Sequence, residues 1–565
     1  MSTSDTNNKH LLTVMVEDYF HVGAFGNLIQ QRNWSNFVPR YAHNTQKALD
    51  LLDQYDTKAT FFVLGWIAEQ SPELVREIVN RGHEVASRGY YHRSLENLSI
   101  EVFREDLRRT NAAIETASGQ KVSGYRAADK LPFQQHDWVL DVLAEEGFAY
   151  DSSFLPKRGD DPKKQVAHRY EHNDSAIWEF PYSTRDLGIG LLPISGGNYF
   201  RQIPYTLMRR AVSNWHKRSD APFISYFHVW ELDPEQPRIS AASRYSRIRH
   251  YRNLDKMEWI LHENLALYKC TGIADHLGID RETHISVEPD MAAATEITVP
   301  ANAPLDLTPV SIVIPCYNEQ ESLPYLAKTL ASVEERLKKI GYTSQLIFVD
   351  DNSQDDTLAV IHSLFGDSKG LQVVKHDVNQ GVAGGIVTGI RAARTEIVCS
   401  IDCDCTFDPH ELENMIPMLR EGVDLIQASP YHKDGGVQNV PGWRLLLSKG
   451  ASVLFRRVLH TKIASYTACF RVMRRSSMID IEPEELGFHG VPELLGLLDL
   501  KGGKIVEFPT VLAVRLFGAS KMKTLKTIAG TVKLLSRLTL MRAFGKTDPI
   551  RPSTSSERLL PASKD

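Results

Sequence analysis

At 565 residues the chain is too long for one ordinary domain, and two or three are expected. Its 42% apolar and 24% charged residues are ordinary for a soluble globular protein, and a formal net charge of −5 gives no global bias toward nucleic acid. Six cysteines over this length do not make a disulfide framework.

The opening MSTSDTNNKHLLTVMVEDYF lacks the basic segment and long apolar core of a signal peptide. No uninterrupted apolar run reaches about 18 residues, so no spanning helix is expected. The expected location is cytoplasmic, with peripheral contact at the inner face of a membrane left open. Residues 1–9, the Ala-, Thr- and Pro-rich stretch 282–309 and the tail 547–565 lack apolar periodicity. Between them, 10–281 and 310–546 each alternate apolar strands with amphipathic helices, which predicts two α/β domains joined by a linker.

In the first domain Leu12–Val16 reads as a strand ending at Glu17 and Asp18. Ala59–Val63 is another, followed by a helix and then RGHEVASRGYYH. In the second, Val310–Pro315 is a short continuous apolar run, as in a buried parallel strand. Leu323, Leu326, Leu330, Val333 and Leu337 then recur at helical spacing. Leu346–Val349 is a further strand ending at Asp350 and Asp351, and Ile397–Ile401 runs into Asp402 and Asp404. Polar residues at such strand ends line a ligand crevice. Two carboxylates spaced i, i+2 there suit a hard divalent cation, which takes oxygen ligands and bridges phosphates. Cys399, Cys403 and Cys405 lie close together but lack a fourth thiolate or imidazole nearby, so no zinc site is expected.

SIVIPCYNE, FVDDNSQDDT, NQGVAGGIVTGIRAA and SIDCDCTFDPHEL, in that order, resemble the family 2 inverting glycosyltransferases. The resemblance covers about 210 residues and implies a Rossmann-like α/β domain binding a nucleotide sugar. It implies that Pro315, Tyr317 and Glu319 frame the nucleotide, that Asp350 and Asp351 lie near base and ribose, and that Asp402 and Asp404 serve the diphosphate. Asp404 would ligate Mg²⁺ or Mn²⁺. Within the family the likeness is to polyprenyl-phosphate sugar transferases. SYTACFRVMRR resembles their acceptor loop, at Thr467, Phe470 and Arg471, with Ser465 where that subgroup often has Asp. RLFGASKMK resembles their phosphate-binding segment, at Arg515, Ser520 and Lys521. The implied catalytic set is Asp402, Asp404 and Arg471, and the implied partners are a nucleotide-sugar donor and a polyprenyl phosphate or saccharide acceptor. Lys521–Lys546 is basic, without an acidic residue, and carries Leu525, Ile528, Val532 and Leu535 at helical spacing. Two uses are open: a helix lying on an anionic membrane, or a helix packed on its own domain.

VEDYFHV, KATFFVLGWIAE, RGHEVASRGYYHRSL, GYRAADK, YDSSFLP and YFHVWELDPEQPR resemble the polysaccharide deacetylases, nearest the exosortase-associated subgroup, over about residues 11–275. The resemblance implies a distorted β/α barrel. It also implies an Asp and two His, the latter spaced i, i+4, around a divalent metal such as Zn²⁺, with a second Asp as base. This chain departs from that pattern. Arg88 stands where the first of the two His is expected, with His92 as the second. Met15 stands where an acid is expected, and Ala128 and Val229 replace two prolines. An arginine offers no lone pair to a metal. Asp18 and His92 remain as a degenerate metal pair, with Glu17, Arg126 and His228 as further remnants. The domain is expected to have lost hydrolysis. The alternatives are a bifunctional enzyme with an active N-deacetylase, and a saccharide-binding module.

Overall fold

A computed structural model describes residues 10–131, 137–173, 175–188, 190–281, 307–518 and 524–545. The chain divides into two units, one built mainly from each half, with Ser35–Val38 and Arg238–Ala241 of the first half grouped with the second unit. In the first, the strands are β1 (His10–Val16), β2 (Thr60–Val63), β3 (Glu84–Ser87), β4 (Gly124–Tyr125), β5 (Tyr150–Asp151), β6 (His168–His172), β7 (Ser175–Glu179), β8 (Thr184–Asp186), β9 (Leu191–Pro193), β10 (Phe223–His228) and β11 (Cys270–Thr271). Among the described residues nine of them form one sheet in the order β10-β1-β2-β3-β4-β5-β7-β6, with β11 also beside β1. All its pairings are parallel except β6 with β7. The end strands β10 and β6 are not joined, so the expected distorted β/α barrel takes an unclosed form.

Side chains alternate along β1, and that alternation makes the two layers. Leu12, Val14 and Val16 share a core with Leu49 and Leu52 of helix Tyr41–Gln54 and with Phe103 and Leu107 of helix Ile100–Ser118. Leu11 and Met15 face the other way, into a cluster with Phe62, Tyr150 and Tyr226. The parallel strands bring the ends of β1, β3 and β10 to one side of the sheet. Glu17, Arg88 and His228 sit there.

The second unit contains β12 (Thr308–Cys316), β13 (Tyr342–Asp350), β14 (Gln372–Lys375), β15 (Ile397–Ser400), β16 (Leu425–Ser429), β17 (Gly436–Val437), β18 (Arg471–Arg474), β19 (Ile505–Pro509) and β20 (Val511–Leu512). Its main sheet runs β14-β13-β12-β15-β18-β16-β19, while β17 pairs with β20. The first four are parallel, and β18 runs against both neighbours. β12 begins at Thr308, so the strand takes in the last two residues assigned to the linker. Residues 282–306 of that linker and the tail 547–565 lie outside the described residues.

Ile312 and Ile314 of β12 pack with Leu323, Leu326, Leu330, Val333 and Leu337, the five positions whose spacing predicted a helix; it spans Leu323–Lys339. Val313 points to the opposite layer, with Ile386 and Ile390 of helix Val382–Ala392. That helix approaches β12 closely because Gly389 has no side chain; a Cβ there would lie 2.1 Å from Val313 Cγ1. With β13 on one side of β12 and β15 on the other, the strand order, and not the strand direction, switches at β12. The carboxyl ends of these strands therefore open a crevice.

Helix Thr524–Phe544 packs Leu534, Leu535 and Leu538 into the same layer as Leu459 and Leu495. Ile528 and Val532, expected on its apolar stripe, are exposed, as are Leu540 and Phe544. The buried stripe is thus Leu534-Leu535-Leu538. No helix among the described residues is long and apolar enough to cross a membrane.

Candidate active site

The loops after β12 and β13 are tied together. Asn318 N–H donates to Ser353 Oγ (2.9 Å), Gln354 N–H to Asn318 Oδ1 (2.7 Å) and Glu319 N–H to Thr357 Oγ1 (2.7 Å). This sets Pro315, Tyr317 and Glu319 beside the end of β13. Asp350 is buried and accepts from Ser353 N–H at 3.2 Å. Asp351 faces inward: its carboxylate accepts from the backbone of Gln380 and Gly381, both at 2.7 Å, and lies 2.8 Å from His376 Nδ1. Gly381 precedes helix Val382–Ala392, so Asp351 neutralises the partial positive charge of that helix start. The expected ribose ligand is therefore engaged in holding the loop. His376, which also reaches Thr388 Oγ1 at 2.9 Å, was not singled out from sequence; it carries no motif signal of its own.

At the end of β15, Asp402 and Asp404 share a cluster with Glu319 and Arg515. Arg515 donates to Glu319 Oε2, and its Nη1 lies 3.5 Å from Asp404 Oδ2. Ser322 Oγ also donates to Glu319, at 3.1 Å. Burial and the neighbouring Asp404 charge, with a contribution from Glu319, push the Asp402 carboxyl up to about 7, against a Cys469 hydrogen bond and Arg515. Three carboxylates facing one guanidinium are an oxygen donor set with excess negative charge. Oxygen donors of this kind are what a hard divalent cation takes, although among the described residues no three such groups are arranged to hold one.

Two of the expected residues lie in the interior. Arg471, expected among the catalytic groups, is 1% exposed. Its guanidinium donates to Gln427 Oε1 (2.7 Å) and the Tyr466 carbonyl (3.2 Å), and burial lowers its pKa to about 10. Cys469 and Asp402 are the neighbouring groups that oppose that lowering. Phe470 of the expected acceptor loop is buried and stacked on Phe407. Thr467, part-buried, has its hydroxyl 3.0 Å from Ser448 Oγ on helix Gly442–Val458. Ser520 and Lys521 lie outside the described residues.

In the N-terminal unit it is Glu17, rather than Asp18, that faces His92. Glu17 Oε2 lies 2.9 Å from His92 Nε2 and 3.6 Å from Arg88 Nε, and Oε1 lies 3.2 Å from His228 Nε2. Burial opposes the Glu17 charge, but His92, Arg88 and His228 hold its carboxyl well below the usual range. His228 Nδ1 in turn lies 3.1 Å from Glu231, which pairs with Arg201 at 2.7 Å. Asp18, expected to ligate a metal with His92, accepts from the backbone of Tyr19 (2.8 Å), Arg40 (2.5 Å) and Tyr41 (2.8 Å). It anchors the start of helix Tyr41–Gln54, so the expected Asp18–His92 metal pair is corrected. Arg88 donates to the carbonyls of Ala127 and Ala128 and stands 3.5 Å from His92 Nε2, which puts a fixed cation where a metal ligand is expected. Arg126 is fully buried among Thr13, Ser152 and the rings of Phe62, Tyr182 and Tyr226. Among the described residues no group of three His, Cys, Asp or Glu is arranged to hold a metal ion.

Comparison with known proteins assigns both halves. Residues 311–481 match glycosyl transferase family 2, residues 35–146 match polysaccharide deacetylase, and residues 152–275 match a domain of unknown function, DUF3473. The chain is similar to dolichol-phosphate mannosyltransferase of Pyrococcus furiosus, 29% identical over 43% of this chain and 66% of that protein. It is also similar to polyprenol monophosphomannose synthase of Mycolicibacterium smegmatis, 30% identical over 37% of this chain and 80% of that protein. The chain thus spans about two thirds of the length of the first of these relatives. Among solved structures it is similar to a CE4 family pseudoenzyme from Bacillus anthracis, with a TM-score of 0.26 and 17% identity over 48% of this chain and 65% of the other.

Proposed function

The chain belongs to glycosyl transferase family 2, and from that premise we propose that its C-terminal domain transfers a sugar from a nucleotide diphosphate donor to a polyprenyl phosphate, with inversion. The observation that carries this reading is the cluster of Glu319, Asp402, Asp404 and Arg515 at the strand ends. The two relatives named above act, by their names, on polyprenol-type phosphates. Mg²⁺ or Mn²⁺ held by Asp404, with Asp402 beside it, would supply Lewis-acid neutralisation of the diphosphate leaving group. The chain's own groups do the rest. Pro315, Tyr317, Glu319 and Asp350 border the nucleotide. Arg515 meets an anionic oxygen of donor or acceptor, and Arg471 holds the floor beneath Asp402. A phosphate monoester is already largely anionic at neutral pH and needs little help from a general base. Positioning and charge neutralisation then carry most of the rate.

A peripheral seat at the inner face of a membrane follows from such an acceptor. Trp443 and Leu446 of helix Gly442–Val458, and Leu540 and Phe544 of the adjoining helix Thr524–Phe544, are exposed apolar side chains on elements also bearing arginine and lysine. We read the N-terminal domain as a deacetylase-like unit without hydrolytic activity, on the strength of Arg88 and the engaged Asp18. The test is incubation of the full chain with Mg²⁺, a panel of nucleotide sugars and polyprenyl phosphate, following nucleotide diphosphate release. Release that does not depend on the lipid phosphate would sink the acceptor assignment.

A further inference from the structure

The N-terminal unit contains a pocket of about 480 Å³, large enough for a saccharide residue, beside Glu17, Arg88, His92 and His228. Its chemistry is not that of a site for a neutral sugar. The Lys130 ammonium stands 4.7 Å from the Tyr199 ring centroid, 4.9 Å from Tyr182 and 5.9 Å from Tyr226, all lining the same pocket. Burial, with Arg249 and Arg126 nearby, lowers that ammonium to about 8. Arg249 lines the pocket and is exposed.

The carboxylates do not offset these cations evenly. Glu17 is taken by His92, Arg88 and His228, and Glu231 by Arg201 and His228. Asp129, exposed, is the remaining acid of the lining. Two lining residues carry buried N–H donors without a hydrogen-bond partner: Arg201 Nη2 and Trp230 Nε1. Each of these side chains is more than nine-tenths buried. Orphaned donors of this kind in a native fold are met by a ligand or by ordered water. Cationic donors favour an ionised acceptor.

We propose that this pocket binds a pyranose bearing an oxyanion, a carboxylate or a phosphate, with the anion toward Lys130 and Arg249 and the sugar ring beside Tyr199, the part-exposed ring of the lining. The inference rests on the reading of this domain as non-hydrolytic. It makes Arg88 part of a permanent cationic floor, in a place where related folds are expected to use a metal.

The test is calorimetric titration of the full chain in EDTA at pH 7 with four probes: a tri-uronate oligosaccharide, a hexose 6-phosphate, inorganic phosphate and N-acetylated chitotriose. At least one acidic sugar is expected to bind tenfold or more tighter than chitotriose, and which one does so identifies the anion. Lys130→Met with Arg249→Met should weaken that binding at least tenfold and leave nucleotide-sugar turnover unchanged. Lys130→Arg, which keeps the charge, should stay within about threefold. Chitotriose binding as well as the acidic sugars, or a double variant that binds like wild type, would overturn the proposal. So would inorganic phosphate binding as tightly as the sugar phosphate, since the ring would then contribute nothing. Acetate release from chitotriose, measured on the same preparation, would instead remove the non-hydrolytic reading, separately from the titration.

Discussion

Arg515 meets Asp404 at the end of β15, with 3.5 Å between Nη1 and Oδ2. The same guanidinium holds Glu319 from the end of β12. A permanent cation thus bridges the carboxylates of two strand ends, and the account of transfer turns on that charge balance.

Asp404→Asn keeps the shape of the side chain and removes its charge. Sugar transfer should fall by about 100-fold or more, the scale on which a single electrostatic group acts in a transition state. The thermal midpoint should stay close to wild type, since Asp404 is only part-buried and an amide oxygen can accept in its place from Thr406 N–H, which lies 3.1 Å away. Nucleotide diphosphate release in saturating Mg²⁺ measures the first, and a melting scan the second. A near wild-type rate would remove Asp404 from the metal site.

Asp351→Ala tests the brace at the neighbouring strand end. The carboxylate satisfies two backbone N–H groups and His376, so its loss leaves buried donors without partners. A cost of about 2–4 kcal/mol is expected by chemical denaturation. Asp351→Asn should recover part of it, because one amide oxygen still accepts. A loss of donor affinity with unchanged stability would return Asp351 to a direct ligand role.

The alternation of apolar and amphipathic segments made both α/β units legible in the sequence, and the stripe Leu323–Leu337 proved to be the buried face of its helix. The acidic strand ends were legible too, because strand and turn are local. What each carboxylate faces depends on distant chain and was not legible. Asp18 and Asp351 sit in acidic pairs like those of ligands, yet backbone amides 22 or more positions away claim their oxygens. Neighbouring Glu17, by contrast, receives His92, Arg88 and His228. Likewise, of the stripe read over Lys521–Lys546, Leu535 packs with its neighbours Leu534 and Leu538, whereas Ile528 and Val532 are exposed. A wide apolar helix has more than one candidate face, and tertiary contact chooses.

The N-terminal unit should retain no Zn²⁺ and release no acetate from acetylated chito-oligosaccharides. Arg88→His with Met15→Asp is the informative variant. Met15 Sδ lies 3.9 Å from Arg126 Nη1, so an aspartate there gains a cationic partner in place of an apolar burial. Elemental analysis and acetate release on wild type, both single variants and the double variant separate the outcomes. Brisk acetate release by the unmodified chain would restore the bifunctional reading.

His250 supplies a pH test. Burial, with Arg201 close by, lowers its pKa to about 3, and the ring stacks on Trp230 at 4.1 Å while Nε2 meets Gln236 Oε1 at 2.7 Å. Its folded pKa is below the unfolded value of about 6.5, so between these values the unfolded state binds the extra proton. The histidine therefore loses stability as pH falls, by up to about 1.4 kcal/mol per pH unit. His250→Gln lacks this titration. Its stability relative to wild type should rise as pH drops from 7 to 5, read by hydrogen exchange of peptides covering 229–252. A pH-independent difference between the two would contradict the buried neutral ring.

The acceptor is the most direct test of the whole account. The full chain, Mg²⁺, a radiolabelled nucleotide sugar and polyprenyl phosphate are incubated together, and the label is partitioned between organic and aqueous phases. The account predicts organic-extractable label that requires the lipid phosphate and falls at least tenfold in Arg515→Met, on the scale of one lost charge-assisted contact (~10-fold per 1.4 kcal/mol). Label confined to water-soluble saccharide, with wild-type yield in Arg515→Met, would contradict it.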